Sequence, residues 1–213
     1  MDRFRRNGFW LRLLCAGLVL LIVCQLVNAD NNDPNDPNDL NDPNDPEELL
    51  RNKWDAIVSI LQKKDIENKV KETKISKIVT PIFDFPLMAY LSLGRKNWPK
   101  FSPLQRDKFT RLFTERLKRQ YWEKIALYKD EKVLFKPKTQ KKKTIYIPSE
   151  LRYKDKKVAI LYKLRKVEKR WKIYDVEIQG VSILLTYRSQ FNEILRRDTV
   201  EDLLSRLEKP PND

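Results

Sequence analysis

The hydrophobic period of this chain changes twice along its length, and that alone restricts the fold to very few architectures. Leu50, Trp54, Ile57, Val58 and Leu61 recur at helical spacing behind Asp45-Pro46, an N-cap followed by proline at the first helical position. A second helix is predicted over Ile66 to Val79, stopped by Pro81. Asp84 caps a third through Met88 and Leu91, ended by Gly94. Ser102-Pro103-Leu104-Gln105 is a capping box opening a long helix whose stripe holds Phe109, Leu112, Phe113, Leu117, Tyr121 and Tyr128. The pattern then shortens to strands over Leu134–Lys138, Thr144–Leu151, Val158–Val167 and Trp171–Gln179, joined by short charged connections. Helical spacing returns near Ile183, with Tyr187, Phe191, Ile194 and Leu195. Thr199, with Asp202 three residues on, opens a last helix. Helices, strands, then helices again predict an α+β fold: an antiparallel sheet of about four strands, with the N-terminal and C-terminal helices against one face.

Two absences remove most catalytic chemistry. The 213 residues contain no His, and both cysteines, Cys15 and Cys24, lie in an apolar N-terminal run. Neither a Ser-His-Asp site nor a Cys-His site can be assembled, nor zinc sites of His and Cys. Of four glycines only Gly94 and Gly180 lie beyond that run, which excludes a P-loop and a GxGxxG turn. Asp175 stands in an apolar strand and needs a partner if buried, for which Arg188 is the candidate. No second carboxylate stands at a spacing that suggests acid–base work. No enzyme activity, cofactor or metal is implied.

Residues 1–29 read as an export signal. Arg3, Arg5, Arg6 and Arg12 precede an apolar run from Leu13 to Val27, and Val27-Asn28-Ala29 offers a cleavage site. Periplasmic localisation follows. The alternative is a lipoprotein anchored through Cys24, since Leu21-Ile22-Val23-Cys24 approximates a lipidation signal. Residues 30–46 repeat Asn-Asp-Pro, with six Asp, no base and Leu40 as the one apolar side chain, so they are expected to form a disordered tether. Residues 47–213 are expected to be the folded domain.

Charge is unevenly spread. Of 44 bases and 30 acids, the leader holds four and one and the tether none and six, so residues 47–213 carry 40 bases against 23 acids. In an exported protein that surface meets anionic lipid headgroups rather than nucleic acid, which is not expected as a partner. The lysines at positions 136, 138 and 141–143 form a solvated hairpin, or one that steers toward anionic lipid or an acidic partner.

Phe83-Asp84-Phe85-Pro86-Leu87-Met88-Ala89, then Leu93-Gly94 and Trp98, resembles the front motif of the MlaC (toluene-tolerance) family. Trp171-Lys172-Ile173-Tyr174-Asp175-Val176, Gly180-Val181-Ser182 and Tyr187-Arg188-Ser189-Gln190-Phe191 match its second motif. The resemblance runs over roughly residues 47–209. It implies a curved, NTF2-like sheet packed by a helical layer, and a monomeric periplasmic carrier holding phospholipid by its acyl chains. Its implied partners are an inner-membrane ABC transporter complex and an outer-membrane lipoprotein complex, with maintenance of outer-membrane lipid asymmetry as the outcome. The Asn-Asp-Pro tether, the lysine-rich stretch and the high charge depart from the family pattern.

If a lipid slot lies where helix and sheet faces meet, its lining comes from Phe85, Met88, Phe109, Phe113 and Leu117 on helices. The strands supply Ile145, Ile147, Ile160, Tyr162, Leu164, Trp171 and Ile173 from alternating positions. Each of these is also what an ordinary core uses. The competing readings are a tethered envelope scaffold or adaptor, and an enzyme working through carboxylates.

Overall fold

The computed structural model describes residues 45–125, 132–153 and 156–209. The leader, the repeat before Asp45, Tyr128 and the Lys154-Asp155 connection lie outside them. Six helices and six strands follow in order: α1 (Pro46–Leu61), α2 (Asn68–Val79), α3 (Phe85–Asn97), α4 (Pro103–Ile125), β1 (Lys132–Phe135), β2 (Thr139–Lys141), β3 (Thr144–Tyr153), β4 (Lys156–Val167), β5 (Arg170–Ile178), β6 (Val181–Ser182), α5 (Ile183–Arg197) and α6 (Val200–Glu208). The strands form one curved, unclosed antiparallel sheet in the order β1-β3-β4-β5-β6, with β2 also on β3. The α+β class expected from the periodicity is the class observed.

Helix starts obey local chemistry. Glu47 N–H donates to Asp45 Oδ1 at 2.8 Å with Pro46 at N1. Ser102 and Gln105 exchange side-chain and backbone hydrogen bonds of 2.8 and 3.3 Å, and Thr199 and Asp202 form the same box. Each cap gives exposed N–H groups a partner within three residues, which is why a one-dimensional pattern locates them.

The sheet departs from expectation at its prolines, glycines and one bulge. The predicted strand over Leu134–Lys138 is strand only to Phe135, where β1 ends its pairing with Ser149–Arg152; Pro137, lacking an amide donor, stands in the gap, and an unexpected β2 pairs with Thr144–Tyr146 beyond it. Gly180 does not lead straight into a helix. Gln179 (φ 50°) and Gly180 (φ 78°) make a two-residue turn into β6, the left-handed pair a tight hairpin requires. Between β4 and β5 the register slips at Lys163/Leu164, leaving Tyr174 as an extra residue on β5.

One core joins the layers. Helical side chains from Leu49 to Leu117 and from Ile183 to Leu207 bury against Ile145, Ile147, Leu151, Ile160, Tyr162, Leu164, Ile173, Val176 and Ile178 of the sheet. The most extensive backbone approaches of helix to sheet are at β5, which the Thr80–Ile82 turn, α3 and α5 all meet, and α5 also follows β6. Over β3 and β4 buried apolar side chains fill the space between the layers.

Candidate functional site

The sheet's inner face is built by register. Ile145 stands opposite Leu164, Ile147 opposite Tyr162 and Ser149 opposite Ile160, while Leu164, Tyr162 and Ile160 face Ile173, Val176 and Ile178 on β5. The result is an apolar surface three strands wide. Ile145, Ile147, Ile160, Tyr162, Leu164 and Ile173, all expected here, lie on it and are buried. Trp171 is half-buried at the end of β5, with Lys166 Nζ 5.1 Å from its ring centroid.

The helical candidates divide. Met88 and Leu117 are fully buried in the layer facing the sheet, and Phe85 stacks on Phe83 at 5.6 Å with Lys118 over its ring at 5.4 Å. Phe109 and Phe113 are also fully buried, but their ring partners lie off the sheet: Phe101 is 5.6 Å from Phe109, Tyr187 5.0 Å from Phe113, and Phe191 5.4 Å from Phe109 and 5.9 Å from Phe113. These two rings fasten α4 to α5. Side chains the sequence reading left out are Val176, Ile178 and Leu151 on the sheet face, and Phe135, 6.3 Å from the Tyr162 ring. Strict alternation from Trp171 and Ile173 assigns the face to odd positions. The Tyr174 bulge shifts β5 by one, and the apolar pair at 176 and 178 is the sequence signal of that shift.

Polar groups on this face are few. Tyr162 is 1% exposed, and burial pushes its hydroxyl pKa well up, an effect the neighbouring Ser149 hydroxyl reduces.

Three polar clamps hold the frame. Asp84 caps α3 through Leu87 N–H, receives Arg165 Nε at 2.6 Å and Nη2 at 2.5 Å, and donates its own N–H to Ile173 C=O at 2.8 Å. The front motif is thereby pinned to β5. Asp175 is buried, but its partner is not Arg188. It accepts from Lys163 at 3.1 Å, from Ser182 Oγ at 2.8 Å and from Leu184 N–H at 3.4 Å, anchoring the start of α5. The β4–β5 pairing places Lys163 beside Asp175, whereas Arg188 lies a full helical turn further on and faces α3. Burial disfavours the Lys163 charge, yet hydrogen bonds to Glu177 and Asp175 outweigh this and raise its pKa. Arg188 donates through Nε (2.8 Å) and Nη2 (2.5 Å) to Leu91 C=O, the carbonyl left open where Gly94 breaks α3.

This interface supplies buried apolar area and two hydroxyls, while both of its framing carboxylates are neutralised by cations. An open cavity of about 760 Å³ lies elsewhere, between the end of α3 and the middle of α5.

A solved structure of a phospholipid-binding protein from Ralstonia solanacearum, in complex with a phospholipid, has the same fold. The TM-score is 0.69 at 23% identity, over 77% of this chain and 95% of that one. No curated protein matches the chain. The description "MlaC protein" belongs to the family model that matches residues 51–209, a span that takes in the Asp84 and Asp175 clamps and every strand of the sheet, so the chain belongs to the MlaC family.

Proposed function

We propose that this protein is a phospholipid carrier of the cell envelope, exported by residues 1–29 to the periplasm, or tethered there through Cys24. It holds acyl chains between the sheet face and the helical layer, and passes lipid between an outer-membrane lipoprotein complex and an inner-membrane ABC transporter complex. Family membership and the lipid-bound structural neighbour support this reading. The observation that carries it is the wide apolar face of β3, β4 and β5 buried under the helices, with the backbone hydrogen bond from Asp84 to Ile173 joining the layers at β5.

The task needs burial, not catalysis. Exposing two acyl chains of about 15 methylenes each to water costs about 24 kcal/mol at ~0.8 kcal/mol per methylene. A barrier of that size limits unaided transfer to about 10⁻⁵ per second. An apolar slot removes most of it.

Native mass spectrometry of the protein, purified gently from its own envelope, tests the reading. Mass increments of one phospholipid per chain, confirmed by solvent extraction, are expected. A spectrum showing only the lipid-free mass overturns it.

A further inference from the structure

The cavity between α3 and α5 is lined mostly by charged and polar side chains, unlike the apolar sheet face. It is lined by Gly94, Arg95, Lys96 and Lys100 on one side and by Arg188, Asn192, Glu193 and Arg196 on the other. Five of its side chains are cationic and one is anionic. That single carboxylate, Glu193, is already engaged by Arg196 and Arg197. Arg95, Lys96 and Lys100 have no ion-pair partner among the described residues, so the cavity gathers cations that the fold itself does not neutralise. Gathering unpaired like charges around a concavity is unfavourable unless an anion joins them.

Hydrogen bonds tie the two walls together. Arg188 is held by two hydrogen bonds to Leu91 C=O, and the buried Asn97 carboxamide donates to Asn192 Oδ1 at 2.6 Å. Gly94 (φ 72°) turns the chain so that Arg95 and Lys96 stand at the rim. The helix α3 begins on β5 and reaches this cavity ten residues later, about 15 Å along its axis at 1.5 Å per residue.

We infer that this cavity is a docking site for an acidic segment of a partner protein, carboxylates of which meet Arg95, Lys96 and Lys100. A concave site with Arg and carboxamide donors admits a protruding chain and matches carboxylate geometry, whereas a flat anionic bilayer cannot enter it. Docking through charge also favours fast capture and release, which suits a protein that visits its partners in turn.

The test uses a fluorescent acetylated hexaglutamate peptide and the whole protein, read by anisotropy at about 0.15 M salt, where long-range attraction is screened. The double variant Arg95→Glu/Lys96→Glu should weaken peptide binding at least about tenfold. Lys142→Glu/Lys143→Glu, with the same change in net charge on the exposed β2–β3 turn, should weaken it less than about threefold. All four side chains are exposed, and circular dichroism confirms that both variants remain folded. Equal weakening by the two pairs shows that net charge alone attracts the peptide and overturns the site, as does absence of peptide binding. Phosphatidylglycerol vesicles captured through Arg95 and Lys96, with the peptide left unbound, identify a membrane surface instead and also overturn it. Lipid extraction is independent of all these outcomes, so failure here leaves the carrier reading where it stood.

Discussion

Gly94 and Arg188 work as a pair. At φ 72° and ψ 168° Gly94 occupies backbone space nearly closed to other residues, and a Cβ there would stand 3.2 Å from Arg188 Nε. Gly94→Ala is therefore expected to cost about 1–3 kcal/mol from backbone strain, with loss of the Arg188 bond to Leu91 C=O. Gly180→Ala meets nothing within 4 Å and should cost only about 1 kcal/mol, for its left-handed φ. Chemical denaturation of the two variants measures the difference, and equal costs would remove the role given to Arg188. Tyr187 offers a second residue-scale test. Burial pushes its hydroxyl up to about 12, partly offset by Arg116, and it donates to Gln120. An unfolded tyrosine ionises near 10, so between about pH 10 and 12 the unfolded chain releases a proton that the folded chain keeps. Stability should fall across that window by about 2–3 kcal/mol from this group and be unaffected by it below pH 10. In Tyr187→Phe the decline should be shallower, in urea melts at stepped pH. The caps at Asp45, Ser102 and Thr199 were legible in the sequence because donor and acceptor lie within three residues. The partner of Asp175 was not, because twelve residues and a β-bulge separate it from Lys163.

At the scale of elements, β5 organises the site. It carries the bulge, receives the front motif through Asp84 and starts α5 through Asp175 and Ser182. Asp84→Ala removes both a helix cap and the partner of Arg165. Arg165 is 40% exposed and rehydrates, so the expected loss is near about 2 kcal/mol rather than that of a fully buried pair. Thermal melts measure it, and an unchanged midpoint would show that α3 docks without this clamp. The aromatic contacts of α4 and α5 make a sharper distinction between core and slot. Phe113 is enclosed by Phe109, Tyr187 and Phe191, so Phe113→Glu buries an unpaired carboxylate with no route to water and should unfold the protein. Ile160 lies buried on the sheet face, opposite Ser149 on β3 and Ile178 on β5. Ile160→Glu should remain folded and lose lipid on extraction. Unfolding of both variants would make Ile160 plain core and move the slot elsewhere.

For the whole molecule, the layered arrangement separates two tasks. Apolar burial belongs to the sheet face and its helical cover, while the concentrated unpaired cations lie about 15 Å along α3 from the sheet. The acidic repeat is expected to contribute nothing to this fold beyond its last residues. Removal of residues 30–44 should leave the melting temperature within a few degrees of the intact chain, whereas a chain starting at residue 47 loses the Asp45 cap, its link to Lys138 and about 1 kcal/mol.

The sequence by itself determined the order of elements, most helix starts, the antiparallel sheet and the family. All of these follow from periodicity, local capping and contiguous motifs, which act between residues near in the chain. It also placed six of its seven strand candidates on the sheet's buried inner face, since alternation holds along β3 and β4. Tertiary structure alone decided that β5 changes phase at Tyr174, adding Val176 and Ile178 to that face. It decided too that Phe109 and Phe113 turn to α5, and that Arg188 serves the backbone of α3 instead of Asp175. The basic cavity likewise exists only because residues 93–100 meet residues 188–196, about ninety positions later. Contacts of that range depend on how layers pack, and a local pattern carries no record of which side chains the packing will bring together.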